Sequence, residues 1–216
     1  MTARQIAVER LDANVGPEAY WQTYTVDMND NRTLLDALLM IADSIDPTLA
    51  FRRTCRSGIC GSCAGRVNGR ACLLCQLSIG EALRGLVDPV RVQPLAGFKV
   101  LRDLVVDMDP VLDEFDRAGA WLIPSPQYDG VMSPQIAAAL WPAMSCVMCG
   151  ICAHGQPVSA SHHPAAVTRI LTLARDPRDS TGADRLRALG ALPDRRFAEW
   201  LIAVCPKRVD VSGLVE

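Results

Sequence analysis

The chain has 216 residues, half of them apolar, with a formal net charge of −2 and a pI of about 5.9. This length allows one large domain or two small ones, and the near-neutral charge makes nucleic acid or an anionic membrane surface an unexpected partner. The opening residues lack the apolar core of a secretory signal, and no run reaches the roughly 18 apolar residues of a membrane helix. We therefore expect a cytoplasmic chain in a reducing compartment.

The first half of the sequence is expected to form a small mixed sheet. RQIAVERL and YWQTYTVDM alternate partly between apolar and polar residues, as strands do. TLLDALLMIADSI has apolar residues at helical spacing, with Asn31 or Thr33 as its N-cap. Asn68-Gly69 predicts a two-residue hairpin turn, because both central positions of a type I′ turn need a positive φ. DPVRVQPL supplies a further strand.

The second half, after about residue 105, is expected to be helical. LVVDMDPVLDEFDRAG is an acidic, partly helical connector, and SPQIAAALWPAM predicts a helix with Ser133 as N-cap and Pro134 at its first position. Further helices are expected in PAAVTRILTLARD, TGADRLRAL and PDRRFAEWLIAV.

Nine cysteines are many for such a chain, and eight of them lie in two tight groups. The ninth, Cys205, is followed by Pro206 and Lys207. Disulfides would suit a secreted protein, but nothing here points to export. Scattered buried thiols would not cluster in this way, so the cysteines are expected to be metal ligands.

The first group opens with a C-x4-C-x2-C run formed by Cys55, Cys60 and Cys63. This start is typical of a [2Fe–2S] loop, whereas zinc ribbons pair C-x2-C with C-x2-C. Gly58 and Gly61 are expected to relieve backbone crowding and to turn amide N–H groups toward sulfur. The fourth ligand should come from the hairpin, where Cys72 and Cys75 are both candidates.

The second group has the C-x2-C-x2-C rhythm of a bacterial ferredoxin, formed by Cys146, Cys149 and Cys152. That loop normally continues x3-C-P, but here Gln156 precedes Pro157. Together with the predicted elements, the two groups indicate an α+β protein. We expect a β-grasp, plant-type [2Fe–2S] ferredoxin-like domain at residues 1–105 and an α-helical [4Fe–4S] ferredoxin-like domain at residues 106–216.

FRRTCRSGICGSCAGRVNG…C resembles the iron–sulfur subunit of succinate dehydrogenase and fumarate reductase. QTYTVDMND, LLDALL, DPTLAFRR and FKVLRDLVVDM resemble further segments of that family in the expected order, from about residue 4 to residue 208. The family's fourth cysteine lies twelve residues after the third, which implies Cys75 rather than Cys72. The implied [2Fe–2S] ligands, called the first cysteine set below, are Cys55, Cys60, Cys63 and Cys75. Cys72 is then an ordinary thiol near the cluster.

The resemblance also implies a [4Fe–4S] cluster. Its ligands, called the second cysteine set below, would be Cys146, Cys149, Cys152 and Cys205. The family's three [3Fe–4S] ligand positions fall at Gln156, Arg195 and Leu201, none of which replaces a thiolate. The family's quinone-pocket tryptophans have no counterpart in VSASHHPAA, and Arg196 stands at a family histidine. The resemblance thus implies that the third cluster and the family's quinone pocket are dismantled.

The implied function is electron transfer without catalytic residues of its own. An FAD-containing flavoprotein acting on succinate, fumarate or a related acid would exchange electrons with this chain. The other partner would be a soluble electron carrier or a membrane anchor, which would hold the chain peripherally on the cytoplasmic face. The alternative is an iron–sulfur redox sensor or regulatory protein without a dedicated dehydrogenase. A molybdenum-hydroxylase-type subunit is disfavoured by the C-x2-C-x2-C spacing.

Several other residues carry weaker expectations. The arginines that flank the first loop could dock an acidic partner or pair with local acids such as Asp46; they are Arg52, Arg53 and Arg56. His154 is expected to face solvent, and His162-His163, followed by proline, to begin a helix. Trp141 and Trp200 lie at helical positions beside cysteines and are expected to pack in the core.

Overall fold

The computed structural model describes residues 2–84, 89–128, 130–153, 162–190 and 192–215. The chain divides into two compact units, residues 1–107 and 108–216. The sequence had placed the boundary after residue 105. None of the helices within the described ranges combines the length and apolarity needed to cross a membrane.

The first unit is built on a five-stranded mixed sheet with the order β2-β1-β5-β3-β4. Its strands are β1 (Thr2–Arg10), β2 (Tyr20–Met28), β3 (Ala64–Val67), β4 (Arg70–Leu73) and β5 (Val90–Gln93). The β1–β5 pair is parallel and the other pairs are antiparallel. A separate two-stranded ribbon joins β6 (Val100–Arg102) to β7 (Val105–Val106).

The main helix of the first unit, α1 (Leu34–Ser44), begins at a capping box. Thr33 is the N-cap: its hydroxyl accepts from the Asp36 N–H, and the Asp36 carboxylate accepts from the Thr33 N–H, so two donors at the helix start are satisfied. The apolar stripe of α1 is buried, with Leu34, Leu38 and Ile41 fully shielded from solvent. A short helix, α2 (Ile79–Ala82), follows the β3–β4 hairpin.

The hairpin turn between β3 and β4 has the expected conformation. Asn68 has φ = 50° and Gly69 has φ = 83°, and Val67 pairs with Arg70 across the turn. Positive φ at both central residues is the signature of a type I′ turn. The turn sets the register that carries Cys72 and Cys75 back past the first cysteine loop.

The second unit is helical and contains α3 (Asp109–Arg117), α4 (Pro134–Met144), α5 (Pro164–Ala174), α6 (Gly182–Leu189) and α7 (Arg195–Val204). The Ser133 hydroxyl caps α4 by accepting from the Ile136 N–H at 3.3 Å. Leu171 of α5 and Phe197 of α7 belong to one buried core, together with residues from α4, α6 and the C-terminal segment. The expected α+β organisation is confirmed.

Candidate metal centres

The first cysteine loop turns its backbone N–H groups toward sulfur. Cys55 Sγ accepts from the N–H groups of Ser57 at 3.5 Å, Ile59 at 3.3 Å and Cys60 at 3.3 Å. These amide donors, with that of Ser57 having the largest effect, lower the pKa of the Cys55 thiol to about 6. Because hydrogen bonds to a thiolate stabilise its charge, the loop favours the form of cysteine that binds iron.

Gly58 connects this loop to the hairpin. Its N–H donates to Cys75 Sγ at 3.3 Å. Its φ is +70°, and a Cβ at this position would come within 2.7 Å of the Gln76 side chain. The backbone conformation therefore favours glycine, and a larger residue would also have to displace the Gln76 side chain.

Cys75 is thereby brought to the loop of the first three cysteines. Cys63 and Cys75 are both buried, and burial is the main factor that raises the pKa of Cys63 to about 12, with the Cys75 thiol beside it. Cys72 lies on β4 opposite Gly65. Burial also raises the pKa of Cys72 to about 11. Of the two hairpin cysteines, Cys75 is the one whose sulfur accepts from the Gly58 N–H.

The second cysteine set converges on one pocket in the helical unit. Residues from the loop after α4, from α5 and from the end of α7 line this pocket, and they include Cys146, Cys149, Cys152, Cys205, Thr168 and Leu201. Cys205 is the C-cap of α7, and its N–H donates to the Leu201 carbonyl at 2.9 Å. The helix end therefore fixes where the fourth thiol enters the pocket.

Burial raises the pKa values of the thiols in this pocket. The pKa of Cys149 rises to about 11 because of burial, with further contributions from Cys205 and Cys146. The pKa of Cys152 is raised by burial and by the neighbouring thiols of Cys149, Cys146 and Cys205. Four thiolates in one buried, apolar pocket repel one another unless a positively charged group compensates their negative charge. Iron supplies that charge, and soft thiolates suit iron–sulfur clusters, so the donor set fits such a group.

Within the described ranges, no three His, Cys, Asp or Glu side chains are grouped closely enough to hold a single metal ion. The ligands of a cluster would not need to meet at one point, because a cluster contains more than one iron and the thiolates would be shared among them.

Of the three positions at which the resembled family has its remaining cysteines, two lie within the described residues and have ordinary structural roles here. Arg195 lies on the surface, 88% exposed at its side chain, and its Nε pairs with Glu199 Oε1 at 2.9 Å. Leu201 is 2% exposed, within the core of the unit. Gln156 and His154 lie outside the described residues.

The helix start expected at His162-His163 is confirmed, and half of the tryptophan expectation is wrong. His163 caps α5, its Nδ1 accepting from the Ala165 N–H at 3.1 Å. Trp200 packs against the core, with its ring centroid 5.8 Å from that of Phe197. Trp141, in contrast, is 70% exposed. Helical spacing alone did not reveal that Trp141 lies on the side of α4 facing away from the core.

The acid suggested for the loop arginines is also wrong. Asp46 Oδ2 binds Arg10 Nη1 at 2.7 Å, Arg53 pairs instead with Asp43 at 3.6 Å, and Arg52 donates to a backbone carbonyl.

Arg10 is the centre of a buried network that sequence reasoning missed. It is 1% exposed, and its Nε donates to Asp103 Oδ1 at 2.9 Å. Asp103 also accepts from the Leu11 N–H at 3.1 Å and, through Oδ2, from the Ala50 N–H at 2.8 Å. A signal was present, because strand alternation places Arg10 on the same face as Ile6 and Val8. The network holds the segment that leads into the first cysteine loop.

A [2Fe–2S] ferredoxin-like domain followed by a helical unit with four cysteines in one pocket defines a class of protein, the iron–sulfur subunits of oxidoreductases. The sequence family described as the 2Fe-2S iron-sulfur cluster binding domain matches residues 5–113. The mitochondrial succinate dehydrogenase [ubiquinone] iron-sulfur subunit of Dictyostelium discoideum is 34% identical, over 93% of this chain and 76% of its own length. The fumarate reductase iron-sulfur subunit of Mycobacterium tuberculosis is 33% identical, over 97% of this chain and 88% of its own.

A solved structure, the Mycobacterium smegmatis Sdh1 complex in the apo form, contains a chain of the same fold. Its TM-score is 0.74 at 24% identity, covering 97% of this chain and 90% of that one. The chain belongs to the family of succinate dehydrogenase and fumarate reductase iron–sulfur subunits.

Proposed function

We propose that this chain is an electron-transfer subunit that holds one [2Fe–2S] and one [4Fe–4S] cluster and has lost the [3Fe–4S] cluster. It relays electrons between an FAD-containing flavoprotein and an electron donor or acceptor. The clusters supply one-electron chemistry when bound. The observation that carries the proposal is that the four cysteines of the second set line a single pocket together with Leu201.

The first cysteine set is the proposed [2Fe–2S] site. The N–H groups directed at Cys55 and Cys75 stabilise negative charge on the ligand sulfurs. The burial of Cys63 and Cys75 shields one side of the site from water. The Gly58–Cys75 contact supports Cys75 as the fourth ligand, leaving Cys72 as a partly buried thiol of β4.

The second cysteine set is the proposed [4Fe–4S] site. The loop after α4 supplies three thiols and the C-terminus of α7 supplies the fourth. Loss of the third cluster is supported by what stands at two of its family ligand positions. Leu201 fills core space, and Arg195 is held at the surface by Glu199. Neither side chain offers a donor that iron–sulfur clusters use.

The partner flavoprotein is inferred from the relatives, whose names identify them as subunits of succinate dehydrogenase and fumarate reductase. The substrate is then succinate, fumarate or a related acid, bound on the partner. The [4Fe–4S] site is the proposed terminal centre, and it faces a soluble carrier or a membrane anchor that would keep the chain on the cytoplasmic face.

The test is a metal inventory of anaerobically purified protein. We expect about six irons per chain, from one cluster of each type, and no paramagnetic [3Fe–4S] signal in the oxidised state. Cys205→Ser should reduce the iron content to that of the [2Fe–2S] cluster alone and leave its spectrum intact. A stoichiometric [3Fe–4S] signal that persists under oxygen-free handling would refute the proposed cluster content.

Affinity purification from the native cell tests the partner. A flavoprotein recovered in equal amount supports the electron-transfer role, and its flavin should be reducible by a dicarboxylic acid. Recovery of the chain alone, or with DNA, would support the redox-sensor alternative instead.

A further inference from the structure

Cys60 differs from the other members of the first cysteine set in the group that contacts its sulfur. Cys55 and Cys75 accept from backbone N–H groups, and the Cys75 N–H is directed at the Cys63 thiol. Cys60 Sγ instead lies 3.1 Å from the Ser62 hydroxyl oxygen. A conservative side-chain substitution can remove this contact, whereas it leaves the backbone N–H donors in place.

The Ser62 hydroxyl has a second neighbour, Thr54. The Ser62 hydroxyl donates to Thr54 Oγ1 at 3.2 Å, so Thr54, Ser62 and Cys60 form a short chain of hydrogen-bonding groups. Thr54 immediately precedes Cys55, and Ser62 immediately precedes Cys63. The chain of groups therefore bridges the two ends of the cysteine loop.

Ligation determines the direction of these hydrogen bonds. In the free thiol, either sulfur or oxygen of the Cys60–Ser62 pair can donate. A cysteine that binds iron has lost its proton and can only accept. The Ser62 O–H, which donates to Thr54 in the structure, then turns to Cys60 Sγ, and the Ser62 oxygen accepts from the Thr54 O–H in return. Each bond in such a chain polarises and strengthens the next one.

We propose that Ser62, supported by Thr54, is a positioning residue that raises the reduction potential of the [2Fe–2S] site by donating a hydrogen bond to the Cys60 thiolate. This inference rests on the proposed function, in which Cys60 is a ligand. Reduction adds negative charge, and a donor to a ligand sulfur stabilises the more negative state. Cys60 is exposed, so water competes for its sulfur and limits the effect.

The experiment is a redox titration of the purified complex, monitored by the paramagnetic signal of the reduced [2Fe–2S] cluster. Ser62→Ala should lower the reduced-to-oxidised ratio at a fixed potential by several-fold to about tenfold, and tenfold corresponds to about 59 mV for a one-electron couple. Ser62→Thr keeps the hydroxyl and should restore the wild-type potential. Thr54→Val should shift the potential in the same direction as Ser62→Ala, but less.

Ser57→Ala is the matched control, since Ser57 lies in the same loop and contacts Cys55 through its backbone N–H, which alanine retains. A Ser62→Ala potential equal to that of Ser57→Ala and wild type, with the cluster intact, would overturn the inference. If Ser62→Ala does not assemble its cluster, the potential of Thr54→Val tests the inference instead. A Thr54→Val potential equal to that of the wild type would overturn the inference. A Cys60→Ser variant with a wild-type spectrum would instead refute the ligand assignment, and with it this inference.

Discussion

Asp103→Asn tests whether the buried network around Arg10 holds the entry to the first cysteine loop. Asp103 is fully buried and accepts from three donors: Arg10 Nε, the Leu11 N–H and the Ala50 N–H. Its φ of 45° is one that asparagine also tolerates. The substitution therefore keeps the size and backbone conformation of the residue while removing its charge and one acceptor.

The expected cost follows from those contacts. Whichever way the asparagine amide turns, its NH2 group opposes either the Ala50 N–H or the Arg10 and Leu11 donors. An unsatisfied buried donor costs about 1–3 kcal/mol, and removal of one partner of a buried ion pair about 3–5 kcal/mol. Asp46 still lies 2.7 Å from Arg10 and partly compensates its charge. We therefore expect a loss near the lower end of the ion-pair range, about 3 kcal/mol.

Thermal unfolding of the anaerobic, cluster-loaded protein, followed by circular dichroism, measures this loss. For a unit of this size, about 3 kcal/mol lowers the unfolding midpoint by about 12 °C or more. Asp43→Asn is the matched control, because Asp43 also pairs with an arginine, Arg53, but with side chains 66% and 42% exposed. An exposed pair contributes about 0–1 kcal/mol. Equal midpoints for the two variants would contradict the structural role assigned to Asp103.

Three further predictions address the two sites and the helical unit. Cys75→Ser should abolish or badly distort the [2Fe–2S] absorption spectrum, whereas Cys72→Ser should leave it nearly intact; the reverse pattern would show that the hairpin ligand is wrongly assigned. Burial lowers the pKa of His163, and Glu114 opposes this effect. As pH falls, His163 therefore takes up a proton in the unfolded chain before it does so in the folded chain. The helical unit should then lose stability as pH falls below about 6.5. His163→Asn keeps an N-cap acceptor that does not titrate, so the unfolding midpoint of the variant should change less with pH than that of the wild type. The same pH dependence in both proteins would contradict this prediction. Finally, the complex with its flavoprotein should reduce a soluble one-electron dye quickly and a quinone analogue slowly. Fast quinone reduction that a quinone-site inhibitor blocks would show a rebuilt quinone site. A slow rate supports the prediction only if it persists after any membrane partner encoded alongside has been added back.

Local features of the fold could be predicted from the sequence because neighbouring residues encode them. The Thr33 cap, the Ser133 cap and the Asn68-Gly69 turn each depend on hydrogen bonds or φ angles within a few residues. The spacing of the cysteines belongs to the same class, since a short glycine-rich loop limits where three thiols can lie. These local features predict the α+β organisation and both cysteine groups without any knowledge of tertiary contacts.

Tertiary structure alone decided which distant residues meet. Arg10 and Asp103 are 93 positions apart, and the sequence around either residue does not predict that the two form an ion pair. Only the packed hairpin places Cys75 Sγ against the Gly58 N–H, and only the packed helices bury Leu201 while they leave Trp141 exposed. The physical reason is that a periodic pattern defines the faces of a helix or strand, whereas the surface each face meets depends on how all the elements pack together.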